Sequence, residues 1–383
     1  MPYTIPAFLK EHNLDGFLFV GDSIYNADIY YLTRFLAGDR FAVLAQDKIA
    51  ILVSSMEVGR ARKESTAQEV LSTSDYHVLE NMKAGMRPEQ AYAVALAGML
   101  RDHGVRRLGI AQSFPAGLFR ILARDFDVEI LDSPVSRQRE IKTEAEIAAI
   151  ESAQRACERA MRRAVQLIAA SEPKGGLLMR DGLPLTSEQV RGAIEISLLE
   201  DGCEAAETIV AGGRQAADPH AAGRGPLAAD WPIVIDIFPR AKASRYYADM
   251  TRTVLRGEAS PEVVEMYRAV LMAQERGLAA VSAGISGREV HERVSEAFSE
   301  MGYKEREGCG FTHSTGHGVG LQVHENPSLS EVGEELQAGH VVTVEPGLYY
   351  PEIGGVRLED LVVVGPAGCR DLTCFERELV LKR

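Results

Sequence analysis

Four carboxylates and one histidine stand in or beside apolar, strand-like runs in the C-terminal part of the chain. Asp236 ends IVID, Asp249 lies in YYADMTRTVL, and His317 sits in HSTGHGVG. Glu345 closes VVTVE, and Glu359 lies in GVRLEDLVVV. A charge embedded in an apolar strand is costly unless it is paired or bound to metal. An oxygen-rich set with a single imidazole has the ligand mix of a site for two divalent cations.

Spacing sharpens this set. WPIVIDIF and YYADMTRTVL predict a hairpin. If Asp236 faces Asp249 directly, the turn is Ala241–Ser244 and the two Cβ atoms lie about 5 Å apart. Like charges that close need a cation between them; the alternative is a surface hairpin with two solvated aspartates. Glu345 and Glu359 flank a turn containing Pro346, Gly347, Pro351, Gly354 and Gly355. Arg357 and Glu359, two apart on one expected strand, face the same side. Alone they would read as a surface ion pair of little energetic weight. His313, His317 and His324 cluster, and Gly316, Gly318 and Gly320 oppose a helix there. The segment reads as an irregular turn entering a strand, with backbone brought close to a ligand. His12, His77, His103, His291 and His340 have no such company and read as surface or core residues.

The elements that must position these groups follow from periodicity. In the first third, 15–20, 40–46, 48–54, 107–111 and 128–132 read as strands, and 59–71, 89–104 and 117–126 as helices. That alternation implies an α/β domain with a mixed sheet, and no glycine-rich phosphate loop is present. A polar boundary near 133–143 precedes a long helix from Glu144 to about Ala169. Residues 171–184 read as a loop. Helices are expected to open at Thr186, with Gln189 in capping-box spacing, at Ser260-Pro261, and at Ser286 with Glu289. Residues 309–381 read as strands and glycine-rich turns. The expected domains are 1–135 and 136–383, of overall α+β class.

The chain has 383 residues, enough for two domains, and a formal net charge of −13. No basic surplus exists to neutralise phosphates, so nucleic acid and anionic membranes are not expected partners. The five cysteines (157, 203, 309, 369 and 374) are scattered without a CxxC pair, which points to reduced thiols in a cytoplasmic setting. No signal-like or membrane-length apolar run is seen.

The segments IVIDIF, ADMTRTV, HSTGHGVGLQVHE, VTVEPGLYY and GVRLEDLVVV together resemble the creatinase/aminopeptidase family of pita-bread metallopeptidases. The N-terminal third, with YYLTRF (30–35) as the branch's strand-turn segment and REIKTEAEIAAI at the boundary, is similar to the smaller creatinase-type domain of the Xaa-Pro branch, prolidase and Xaa-Pro aminopeptidase. The resemblance implies that Asp236 binds one metal, that His317 and Glu345 bind a second, and that Asp249 and Glu359 bridge both. It implies a hydroxide between the ions as nucleophile and Glu345 as general base. It implies that His220 lies near the substrate carbonyl and scissile nitrogen, and that His324 stabilises the tetrahedral intermediate or holds the substrate. His313 and Arg357 line the substrate pocket, and Tyr349 lies on its rim. The implied activity is hydrolysis of the Xaa-Pro bond of dipeptides or short peptides. Mn²⁺ is the expected metal, with Co²⁺, Zn²⁺ or Fe²⁺ as other candidates, and a homodimer is the expected assembly. A creatinase-type C–N hydrolase and a catalytically silent binding module are the alternatives on this fold. One departure stands out. The turn between Asp236 and Asp249 is two residues longer than the family's usual D-x-G turn and carries Arg240, Lys242 and Arg245. An insertion of two preserves strand parity, so both aspartates keep one face.

Overall fold

In the computed structural model, residues 4–205, 207–303 and 308–382 are described. The chain divides into two compact units, Met1–Arg139 and Glu140–Arg383. Among the described residues, no helix is long and apolar enough to cross a membrane.

The first unit contains α1 (Ile5–Glu11), β1 (Gly16–Gly21), α2 (Ala27–Thr33), β2 (Phe41–Ala45), β3 (Ile49–Val53), α3 (Val58–Glu64), β4 (Glu69–Ser72), α4 (Val78–Lys83), α5 (Pro88–Asp102), β5 (Arg107–Ala111), α6 (Ala116–Leu122) and β6 (Asp127–Leu131). Its six strands form one sheet in the order β4-β3-β2-β1-β5-β6. The sheet is mixed: β1, β2 and β3 are antiparallel neighbours, whereas β3–β4, β1–β5 and β5–β6 are parallel. Alternate residues of the central strands enter different apolar clusters. Leu18, Leu44 and Leu52 pack with α5, while Phe17, Val43 and Ile51 pack with α1. Two expectations fail here. The helix read over 59–71 stops at Glu64, where Ser65 turns extended, and Glu69–Ser72 instead joins β3 as a parallel strand. YYLTRF is not a strand: Asn26 caps α2 by accepting the Ile29 N–H, and the helix runs to Thr33.

The first unit ends within α7 (Ser136–Glu140), and the first helix wholly inside the second unit is α8 (Glu144–Ala169). Thr143 and Glu146 form the capping box that starts α8. Then come β7 (Glu172–Lys174), β8 (Leu177–Arg180), β9 (Leu183–Pro184), α9 (Ser187–Glu200), β10 (Cys203–Glu204), β11 (Ile209–Gly212) and a 3₁₀ turn, Gly213–Ala217. The expected loop over 171–184 is therefore a small meander. Gly175-Gly176 and Asp181-Gly182 take the positive φ angles that two-residue hairpin turns require.

After it run β12 (Ile233–Ile237), β13 (Arg240–Ala241), β14 (Met250–Val254), α10 (Pro261–Ala280), α11 (Gly287–Glu300), β15 (Gly316–Gly318), β16 (Glu325–Leu329), β17 (Val341–Val344), β18 (Gly347–Tyr350), β19 (Gly354–Arg357), β20 (Asp360–Gly365) and β21 (Gly368–Asp371). Two helix-backed sheets result. α8 and α9 bury Cys157, Met161, Ile194 and Leu198 against Ile233, Ile235 and Met250 of the β11-β12-β14 sheet. Val270 and Ala273 of α10 and Val294 of α11 pack with Val356, Leu358 and Leu348, and Val290 of α11 joins Val342, Val344 and Val362 of the β16-β15-β17-β20-β21 sheet.

Candidate active site

β-Branched runs build the strands, and the acidic residues occupy their ends. Asp236 lies inside β12, Asp249 immediately precedes β14, Glu345 follows β17 and Glu359 precedes β20. The β12–β14 register pairs Asp236 with Thr251, so Asp236 does not face Asp249 directly as expected. The cause is the turn. Arg245 takes φ 66°, its N–H donates to the Ala241 carbonyl at 2.8 Å, and the Ala241 N–H donates to the Tyr246 carbonyl at 3.0 Å. The loop is thus Lys242–Arg245, one residue later than predicted. The register moves by two, parity survives, and Asp249 becomes a diagonal neighbour of Asp236 on the same face.

Across the second sheet, Val344 pairs with Asp360, which brings Glu345 level with Glu359. Arg357 and Glu359 do not share a strand, because pairing passes from β18 to β17 at Leu358-Glu359. Both nevertheless reach Thr251 Oγ1, which accepts from Arg357 Nε at 3.1 Å and donates to Glu359 Oε2 at 2.8 Å.

His317 stands on β15, whose glycines fit between neighbouring strands. A Cβ at Gly316 would lie 2.0 Å from the Thr343 carbonyl oxygen, and one at Gly318 would lie 2.3 Å from that of Asn326. These glycines serve strand packing, not the close approach to a ligand that the sequence suggested. The His317 Nδ1 faces the Gly318 carbonyl at 3.1 Å and so carries the proton. Its Nε2 lies 3.2 Å from Glu345 Oε1 and 3.8 Å from Asp249 Oδ2, so the protonated ring donates to Glu345, while the neutral ring would offer that nitrogen to a cation.

One ligand atom each from Asp249, His317 and Glu359 falls within a 4.8 Å set. Glu345 joins through His317. Asp236 Oδ2 accepts from Arg357 Nη2 at 2.7 Å, and its Oδ1 is buried with no partner among the described residues. An orphaned buried carboxylate oxygen, with an imidazole nitrogen and further carboxylates converging on the same cavity, fits a divalent cation. The His317 N–H held by a carbonyl is the usual support for a ligating histidine.

The electrostatics agree. Burial raises the Asp236 carboxyl, with Arg357 opposing. Burial and then the charges of Glu359 and Asp236 hold Asp249 well above its ordinary value, and burial, Glu345 and Asp236 do the same for Glu359. Burial also pushes Glu345 up, but the His317 hydrogen bond and charge outweigh it and leave that carboxyl at about 2.

These groups line a cavity of about 670 Å³, with His313, His317, His324, His220 and Arg357 in its wall. His220 and His324 are exposed, and the His324 ring lies 4.3 Å from that of His317, centroid to centroid. Tyr349 does not lie on the rim. It is 1% exposed, and its hydroxyl accepts from Arg357 Nη1 and meets His313 Nε2, both at 2.9 Å. Because His313 Nδ1 donates to the Ser314 carbonyl at 2.7 Å, the Tyr349 proton goes to Nε2 and the ring is neutral. Burial depresses the His313 pKa in the same sense. Tyr349 therefore buttresses the wall from behind.

The sequence reading missed Thr251 and Thr343. Thr343 Oγ1 accepts the His317 N–H at 3.1 Å and reaches Glu345 Oε1 at 3.3 Å. Strand parity was the available signal, since each threonine is two residues from an acidic group. Glu207, Ile209, Phe238 and Val323 also line the cavity, and Glu207 carried no sequence signal.

Comparison with known proteins gives matches over both units. The model for metallopeptidase family M24 matches residues 148–366, and that for the creatinase/prolidase N-terminal domain matches residues 4–141. The Xaa-Pro dipeptidase of Pyrococcus horikoshii is 30% identical over 387 residues, spanning 97% of this chain and 96% of that protein. Among solved structures, the prolidase from Pyrococcus horikoshii OT3 superposes with TM-score 0.81 at 28% identity, covering 98% of each chain. The X-Pro aminopeptidase from Thermotoga maritima MSB8 gives TM-score 0.80 at 29% identity, covering 96% of this chain and 98% of its own.

Proposed function

The chain belongs to metallopeptidase family M24, with a creatinase/prolidase N-terminal domain ahead of a pita-bread catalytic unit, and from that premise we propose that it hydrolyses the peptide bond between an N-terminal residue and proline. Relatives named Xaa-Pro dipeptidase and a structural neighbour named X-Pro aminopeptidase support this substrate class. The observation that carries it is the convergence of buried Asp236, Asp249 and Glu359 and half-buried His317 and Glu345 on one cavity, with Asp236 Oδ1 unpartnered among the described residues.

Family membership implies divalent cations, and Asp236, Asp249, His317, Glu345 and Glu359 are the residues proposed to hold them. Charge favours two: one divalent cation and Arg357 leave four carboxylates incompletely balanced. Mn²⁺ suits the hard oxygen set, with Co²⁺, Zn²⁺ and Fe²⁺ as substitutes. When bound, such ions supply a Lewis acid for the scissile carbonyl and bring the pKa of water towards neutrality.

The side chains do the rest. Glu345, ionised in the folded protein, takes the proton of the attacking water. The proline nitrogen departs as an amine, so it must take up a proton as the bond breaks. His220, exposed in the cavity wall, is the proposed donor, supported by its place in the lining. Burial and the charge of His317 lower the His324 pKa, so its neutral ring donates one N–H to the oxygen that develops charge. Arg357 fixes Asp236 directly and His313 through Tyr349, which shapes the wall that receives substrate. A homodimer and a cytoplasmic setting belong to the same proposal, the latter supported by cysteines that form no disulfide among the described residues.

The test is cleavage by Mn²⁺-loaded protein of Ala-Pro, Arg-Pro-Pro and Ala-Ala. Release of the N-terminal residue from the proline peptides, abolished by chelation, is expected. No release from either proline peptide overturns the reading. Cleavage of the dipeptide alone assigns a dipeptidase, and cleavage of both an aminopeptidase.

A further inference from the structure

The enlarged basic turn has a place in the fold that hydrolysis alone does not use. Its strand β13 pairs with β10, Cys203 with Ala241 and Glu204 with Arg240. Glu204 Oε1 accepts from Arg240 Nε at 2.6 Å and from Arg245 Nη1 at 3.0 Å, and the Lys242 N–H donates to the Gly202 carbonyl at 3.0 Å. The turn therefore clamps the segment that leads into Ile209, and Ile209 is paired with Asp236.

Glu207 lies two residues before Ile209 in that segment. It is exposed and lines the cavity beside Ile209, Phe238 and Val323. Among the described residues its carboxylate has no hydrogen bond or ion pair, whereas Asp236, Glu345 and Glu359 are each engaged by a neighbouring side chain. Its backbone holds φ 59°, a conformation that glycine or asparagine adopts at less cost than glutamate. An apolar sleeve ending in a free carboxylate matches an aliphatic stem ending in a cation.

We propose that Glu207 selects a cationic side chain on the residue before proline, so that the site favours arginine or lysine there. The inference rests on the Xaa-Pro reading and adds its preferred substrate. The contact is an exposed ion pair, so its effect is modest and falls with salt.

Steady-state kinetics on Arg-Pro, Met-Pro and Glu-Pro test it. Glu207→Gln is expected to lower the Arg-Pro to Met-Pro ratio of kcat/KM by about two- to fivefold, mainly through KM. Glu207→Lys should shift preference towards Glu-Pro. Both replacements meet the same backbone demand as glutamate. An unchanged ratio in both variants overturns the proposal. So does an equal slowing of all three peptides, which would assign Glu207 to their shared N-terminal ammonium. If the wild-type protein cleaves none of the peptides, the reading of the reaction itself fails.

Discussion

Arg252→Met should be among the more damaging single changes in the catalytic unit, although Arg252 does not line the cavity. Its side chain is 2% exposed, and Nη2 binds Asp360 Oδ1 at 2.7 Å, with Asp360 fully buried. Nη1 donates to the carbonyls of Thr251 at 2.9 Å and Glu359 at 2.6 Å, while Nε and Nη2 reach those of Glu376 and Phe375. Methionine fills much of the volume but leaves these acceptors without a donor. Removing one partner of a buried pair costs about 3–5 kcal/mol. Asp360 keeps Gln274 and Arg377, which places the loss near about 3 kcal/mol. For a unit of this size that is a fall of about 6–12 °C in its melting transition. Glu359 is also tied to the same strand by its N–H, which donates to the Thr251 carbonyl at 3.1 Å. Loosening its support should weaken metal binding by about 10–100-fold. Scanning calorimetry and competitive metal titration read the two effects separately. The double variant Arg252→Met/Asp360→Asn should lose less stability than Arg252→Met alone, since no buried charge is stranded. A transition shifted by less than about 2 °C, with metal affinity unchanged, would refute the reasoning.

Two further changes probe the burial of charge. A carboxyl whose folded pKa is raised destabilises the fold at pH above its unfolded value. In chelator at neutral pH, Asp249→Asn should therefore melt higher than wild type, and in Mn²⁺ it should melt lower; the same order under both conditions would contradict the assignment of Asp249. His340 is 2% exposed, its Nδ1 accepts the Gln337 N–H at 3.2 Å, and its Nε2 is buried without a partner among the described residues. Burial, then the Lys142 charge, bring it to about 4. The unfolded chain takes up this proton near about pH 6.5, so the neutral ring's contribution is complete above that value. It is lost as pH falls towards the folded pKa, on the order of 3 kcal/mol in all. Urea midpoints at about pH 5 and about pH 7.5 should differ less in His340→Gln than in wild type, and an equal difference in both would count against the mechanism.

What could be read from sequence was what has a period or a local partner. Thr143 and Glu146 announce α8 because a capping box is complete within four residues. Asp236, Asp249, Glu345 and Glu359 were legible because a polar group in a β-branched run is visible at period two. The register between Asp236 and Asp249 was not, because it depends on Arg245 entering the left-handed region. No composition rule places arginine there. Glu69–Ser72 was read as the tail of a helix because its strand character comes from pairing with β3, a partner distant in sequence. Tyr349 was placed on the rim by the family resemblance alone. Its actual position is set by Arg357 and His313 together, neither of which reveals the other in the sequence.

Arg357 shows why the site is a property of the fold and not of its motifs. Among the described residues that line the cavity it is the single arginine or lysine, and it is already committed to Asp236 and Tyr349. It therefore stabilises one carboxylate while leaving Asp249 and Glu359 strongly disfavoured as anions. The strands accept that cost because valine- and isoleucine-rich pairing on both sheets holds the acidic residues at their ends regardless of charge. Cation binding then relieves a strain already built into the protein, so metal affinity and the stability of the catalytic unit rise together. Glu207 lies outside this balance, exposed and unpaired among the described residues, which leaves its charge available to a substrate.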